Sequence, residues 1–161
     1  MSIQSKVLLI TAAWILVFLP AAGMAHCQVP CGIYGDALRL DLMAEDIATI
    51  EKAMMQISDL SKAESPNYNQ IVRWVQTKED HAQKIQDTAA EYFLAQRIKV
   101  PATEDPAAVK IYQDQLSLLH KIIVAAMKAK QTTDPDPVAD LKNLLKSFRA
   151  SYLKEDAHAG H

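Results

Sequence analysis

The residues best equipped for chemistry lie in HCQVPCGIYG, residues 26–35. Cys27 and Cys31 are the only cysteines among 161 residues, and His26 stands directly before the first. The segment ahead of them has the three parts of a secretory signal. Lys6 supplies a positive start, Val7 to Leu19 is apolar, and Pro20 precedes Gly23-Met24-Ala25, which puts small residues at −3 and −1 of a cut before His26. The alternative is a retained membrane anchor. Val7 to Leu19 is short for that role, since spanning takes about 20 residues. Cleavage between Ala25 and His26, by signal peptidase or a dedicated processing peptidase, would export the chain to a periplasm or the exterior and make His26 its new amino terminus.

Two cysteines so close together in an oxidising compartment tend toward a disulfide. A bridge enclosing three residues would close a tiny loop and remove little chain entropy, so metal ligation or a redox couple explains the pair better. With His26 first, one short hook offers the α-amine, the His26 imidazole, the Cys27 backbone nitrogen and the thiolates of Cys27 and Cys31. Amine, deprotonated amide and two thiolates can close a square plane, with imidazole as an axial fifth ligand. That set suits Ni(II) or Cu(II), whereas zinc prefers a tetrahedron. Pro30 and Gly32 favour the sharp turn the spacing requires. On the cysteine spacing alone a thiol redox pair, a nickel or copper carrier, or a disulfide in a tethered bundle would each serve.

The elements that must position this hook are helical. Half the residues are hydrophobic, 22 % are charged, and the chain holds 4 glycines and 7 prolines, a composition for long regular elements with few turns. The formal net charge is −2, and no basic run of five occurs, which argues against a nucleic-acid partner. Leu40, Met43, Ile47, Ile50, Met54 and Ile57 recur in alternating steps of three and four, which predicts a helix with one buried stripe over Asp36 to Ser61. SKAESPN interrupts it, and Ser65 with Pro66 reads as a cap and first-turn proline. The second stripe is Ile71, Trp74 or Val75, Lys78, His81 or Ala82, Ile85, Ala89 and Tyr92, ending near Arg97. Asp105-Pro106 opens a third, with Val109, Tyr112, Leu116, Leu119, Ile123 and Ala126. Asp136-Pro137 opens a fourth, with Val138, Leu141, Leu145, Phe148 and Tyr152. Short turns between amphipathic helices predict an all-α, antiparallel up-and-down four-helix bundle. The chain then divides into a leader (1–25), the hook (26–35), the bundle (36–155) and a flexible tail (156–161) whose His158 and His161 could bind metal loosely.

HCQVPCGIY resembles the amino-terminal hook of the nickel superoxide dismutases, H-C-x-x-P-C-G-x-Y, at all six fixed positions: His26, Cys27, Pro30, Cys31, Gly32 and Tyr34. The resemblance implies an antiparallel four-helix bundle assembled as a homohexamer, a nickel cofactor cycling between Ni(III) and Ni(II), and superoxide as substrate. It implies nickel ligation by His26, Cys27 and Cys31, with Tyr34 at the mouth of the site ordering water and admitting small anions. It also implies a first-helix carboxylate and a second-helix arginine holding the axial imidazole. The carboxylate candidates are Asp41 and Glu45, and His81 occupies the place of the arginine, as a partner of that carboxylate or as a core histidine.

Overall fold

The computed structural model describes residues 35–102 and 105–159, with side chains as far as residue 153. The hook and the leader lie outside the described residues, as do His26, Cys27, Cys31 and Tyr34. Four helical stretches follow in order: α1 (Asp36–Ser61), α2 (Tyr68–Asp87), α3 (Pro106–Gln131) and α4 (Asp136–Ala159). α2 runs on into a wide helical segment, Thr88–Arg97. There is no strand among the described residues. α4 extends to Ala159, beyond the boundary expected at residue 155, so His158 falls within the helical span rather than a separate tail.

Each helix packs on two neighbours, α1 on α2 and α4, α3 on α2 and α4. Cross-helix bonds give the directions. Along α1, Asp41 meets Arg149 and Glu51 meets Lys142, so α4 runs the opposite way. Along α2, Lys78 meets Ala129 and Gln86 meets Ile123, so α3 is antiparallel to α2. The start of α1 lies against the end of the wide segment and the end of α4, through Asp36, Tyr92 and Tyr152. This is the up-and-down bundle that short connections favour.

The core is the inward side of the four stripes. Every expected position of α1 and α4 is buried, and Ala53 joins them. On α2 the alternatives resolve to Trp74, which is half-buried while Val75 is exposed, and to Ala82, which is fully buried while His81 sits at the edge. The α3 stripe is rotated from its expected setting. Leu119 and Ala126 are buried as read, but Gln115, Ile122, Ala125 and Ala129 complete the inner face while Val109, Tyr112, Leu116 and Ile123 are only half-buried. A row read at 3.5 residues per turn drifts around a helix of 3.6. The small alanines also let the partner helices approach on that side.

One cap differs from the reading of the sequence. Asn67, not Ser65, starts α2: its side chain accepts from the Gln70 N–H at 3.2 Å, and Pro66 lies outside the helix, its carbonyl accepting from Tyr68. An asparagine directly before the first turn reaches that N–H, whereas Ser65 is too early. At α4 the Asp134 carboxylate accepts from the Asp136 N–H, and the Pro135 carbonyl accepts from Val138 and Ala139. Asp136 is the first helical residue, where the reading of the sequence starts the fourth helix. Asp105 does cap α3, accepting from Ala107, with Pro106 in the first turn.

Lys78 is the one lysine on an inner stripe, and its side chain explains its burial. At 3 % exposure its ammonium donates to the Ala129 carbonyl at 2.9 Å and to that of Lys130, two acceptors left over at the end of α3. Lys78→Met keeps the volume and removes both bonds. It should lower unfolding free energy by about 1–3 kcal/mol, read as an earlier urea midpoint. An unchanged midpoint would contradict the capping role.

Candidate metal centre and its root

Among the described residues no three of His, Cys, Asp and Glu come together in a way that could hold a metal ion. The sulfur and imidazole donors that the sequence offers at Cys27, Cys31 and His26 lie outside the described residues. Soft sulfur with nitrogen suits a late first-row metal such as nickel. The described residues show the start of α1, the helix that follows those donors in the chain.

Asp36 is the first residue of α1 and follows Tyr34 by two positions. Its side chain crosses to two other elements. One carboxylate oxygen accepts from the Tyr92 hydroxyl and from Arg97 Nε at 2.9 Å; the other accepts from the Tyr152 hydroxyl at 2.6 Å. Arg97 also donates to the Tyr92 oxygen at 3.1 Å, and the guanidinium groups of Arg39 and Arg97 lie 5.3 and 5.2 Å from the centre of the Tyr92 ring. Beneath them Phe93 packs edge-on against Tyr92, Phe148 and Tyr152. Burial pushes the Asp36 carboxyl up, but the bonds from Tyr152 and Tyr92 and the charge of Arg97 outweigh it and hold the group below the usual carboxylate range. Burial and the bond to Asp36 push the Tyr92 hydroxyl up.

The wide segment makes this cluster possible. Its bonds run from residue i to i+5, as between Ile98 N–H and the Phe93 carbonyl. In an α-helix, residues five apart point about 140° from each other. The wider turn brings Tyr92 and Arg97 to one side, where both reach Asp36. The sequence placed Asp36, Tyr92, Arg97 and Tyr152 in helices and singled out none for chemistry. The available signal was the stripe, which Phe93 breaks by lying buried next to Tyr92.

A second polar group lies in the cleft between α1 and α2, lined by Arg39, Glu45, Asp46, His81 and Lys84 among others. His81 Nδ1 and Asp46 Oδ1 are 2.6 Å apart. An ionised carboxylate only accepts, so the proton sits on Nδ1 and Nε2 faces away from the pair. The acid on His81 is thus Asp46, which the spacing did not single out. Asp41 turns to α4 and pairs with Arg149. Glu45 lines the cleft without bonding His81; its backbone carbonyl accepts from Thr49. Asp46 lies on the α2 side of the α1 stripe and Asp41 on the α4 side, which is why only the first can meet His81.

A helical bundle preceded by a compact set of sulfur and nitrogen donors has the plan of a small metalloprotein. The family profile of the nickel-containing superoxide dismutases matches residues 21–156, and the chain belongs to that family. No curated protein and no solved structure matches it. The protein is accordingly an oxidoreductase with a nickel cofactor and superoxide as its substrate.

The Asp36 cluster carries a pH signature. Because the folded-state pKa is lowered, its stabilisation is complete above the unfolded carboxyl value of about 3.9 and is lost as pH falls through the folded value. Asp36→Asn cannot titrate. The difference in melting temperature between wild type and Asp36→Asn should be constant from pH 7 to 5 and shrink below pH 4; a difference unchanged down to pH 2 would contradict the assignment.

Proposed function

We propose that dismutation takes place at a hook formed by the mature amino terminus, with His26, Cys27 and Cys31 as the nickel ligands and Tyr34 beside them. The observation that carries this reading is the family match, whose span takes in residues 26–34 together with both cysteines and the histidine before them. Cleavage between Ala25 and His26 would free an amine next to an imidazole, a backbone nitrogen and a thiolate, and Pro30 and Gly32 are residue types that favour the turn such a site requires of Cys31. Bound there, nickel supplies one-electron chemistry between Ni(III) and Ni(II), by which one superoxide is oxidised to O₂ and the next is reduced, with two protons, to H₂O₂. Thiolates and an anionic amide are strong donors, and they bring the higher oxidation state within reach at ordinary potentials. Tyr34 orders water at the mouth and keeps out anything larger than a small anion. His81, held by Asp46, presents an imidazole on the α1–α2 face as a partner for the hook.

The same reading makes residues 1–25 a cleaved leader and the product an exported protein, periplasmic or secreted. It takes the assembly to be a homohexamer of bundles each carrying one hook.

Substitution separates the hook from the bundle. Cys27→Ser and Cys31→Ser should each abolish dismutase activity and leave far-UV circular dichroism unchanged, since the four stripes lie outside the hook. His26→Gln keeps the α-amine, so nickel should be retained while turnover and the Ni(III) electron paramagnetic resonance signal fall together. Loss of helicity in either cysteine variant would point to a structural disulfide instead, and full activity in either would remove that cysteine from the ligand set.

A further inference from the structure

We infer that Asp36 is a positioning residue for the hook, fixing through Tyr92, Arg97 and Tyr152 the point and direction from which residues 26–34 leave the bundle. The inference rests on the hook reading above and concerns what holds the hook in place.

Four observations converge on it. First, α1 begins without a side-chain cap: Gly35 occupies the cap position, and Asp36, the acidic residue of the first turn, turns away from its own helix. A carboxylate at that position ordinarily serves its own N–H groups. Here both oxygens are taken by α4 and the wide segment. Second, that segment keeps the wide geometry over ten residues. Such turns are rare and occur mostly as single-turn bulges, frequently at functional sites. Its effect here is to bring Tyr92 and Arg97 onto one carboxylate. Third, the cluster stands on the tightest aromatic packing in the described residues, Phe93 with Phe148 at 5.0 Å and Phe148 stacked on Tyr152 at 5.4 Å. A bonded group on such a floor has little freedom to shift. Fourth, connectivity makes the anchor local to the chemistry. Cys31 precedes Asp36 by five residues, so its Cα cannot be more than about 18 Å from that of Asp36 whatever path the chain takes. A short loop inherits the orientation of its root, and positioning of a reacting group to within about 1 Å is worth up to about 10²-fold in rate.

The test separates positioning from stability. Asp36→Ala and the double variant Tyr92→Phe/Tyr152→Phe are compared with wild type and with Lys78→Met, which weakens the bundle roughly 20 Å away along α2. The double variant keeps all ring packing, so it stays informative if Asp36→Ala folds poorly. Each protein is loaded with nickel, and its melting temperature, nickel content, Ni(III) resonance and dismutation rate are measured. The expected result is a broadened Ni(III) signal and a rate at least about tenfold lower in both cluster variants. Lys78→Met should melt earlier with wild-type line shape and rate. Wild-type line shape and rate in folded cluster variants would overturn the inference while leaving the hook intact. A wild-type chain that holds no nickel at the hook would overturn the hook reading itself, and the positioning role with it.

Discussion

One carboxylate, that of Asp36, joins three of the helical elements at one end of the bundle. Its bonds to Tyr92, Arg97 and Tyr152 bring together the start of α1 and the ends of the wide segment and α4. An antiparallel bundle with short turns already requires those ends to be neighbours. The hydrophobic stripes supply the driving force, but apolar packing is not directional, and helices can slide or rotate against one another at small cost. A charged group with three donors in fixed places removes that freedom where it matters, at the residue from which the hook departs. The geometry of the wide segment is the structural concession that allows it.

The bundle was legible in the sequence because burial sets the period of helical stripes. Leu40 through Ile57 and Val138 through Tyr152 are buried as their spacing implies, and α1 begins and ends where its pattern does. Less regular information was harder to read. Ser65-Pro66 and Asn67 are all turn-formers in a row, and only the backbone path decides which is close enough to the first N–H groups to cap them. The α3 stripe misled because alanine carries little hydrophobic signal, yet Ala125 and Ala129 line the inner face beside Ala126. The wide segment was invisible, since no residue type encodes it and its partner Asp36 lies 56 residues away from Tyr92. The choice among Asp41, Glu45 and Asp46 depended on which side of the α1 stripe faces α2, a rotation that spacing within one helix does not specify.

Function was legible from the other end of the chain. The hook is read from donor chemistry and from a six-position resemblance, and the family match extends over residues 21–156, bundle and hook together. The two parts divide the work in a physically sensible way. The proposed donors lie in the segment directly before α1. The bundle holds no group of three metal-binding side chains among the described residues, but at the start of α1 it has packed aromatic rings and the bonded carboxylate of Asp36.

The central claim is that His26 becomes the amino terminus and that nickel is held by the hook it opens. Intact-mass analysis and amino-terminal sequencing of the native, active protein, with elemental analysis of the same sample, test this most directly. The account predicts a chain beginning at His26 with one nickel per chain. Active, nickel-containing protein that begins at Met1, or at any residue other than His26, would contradict it.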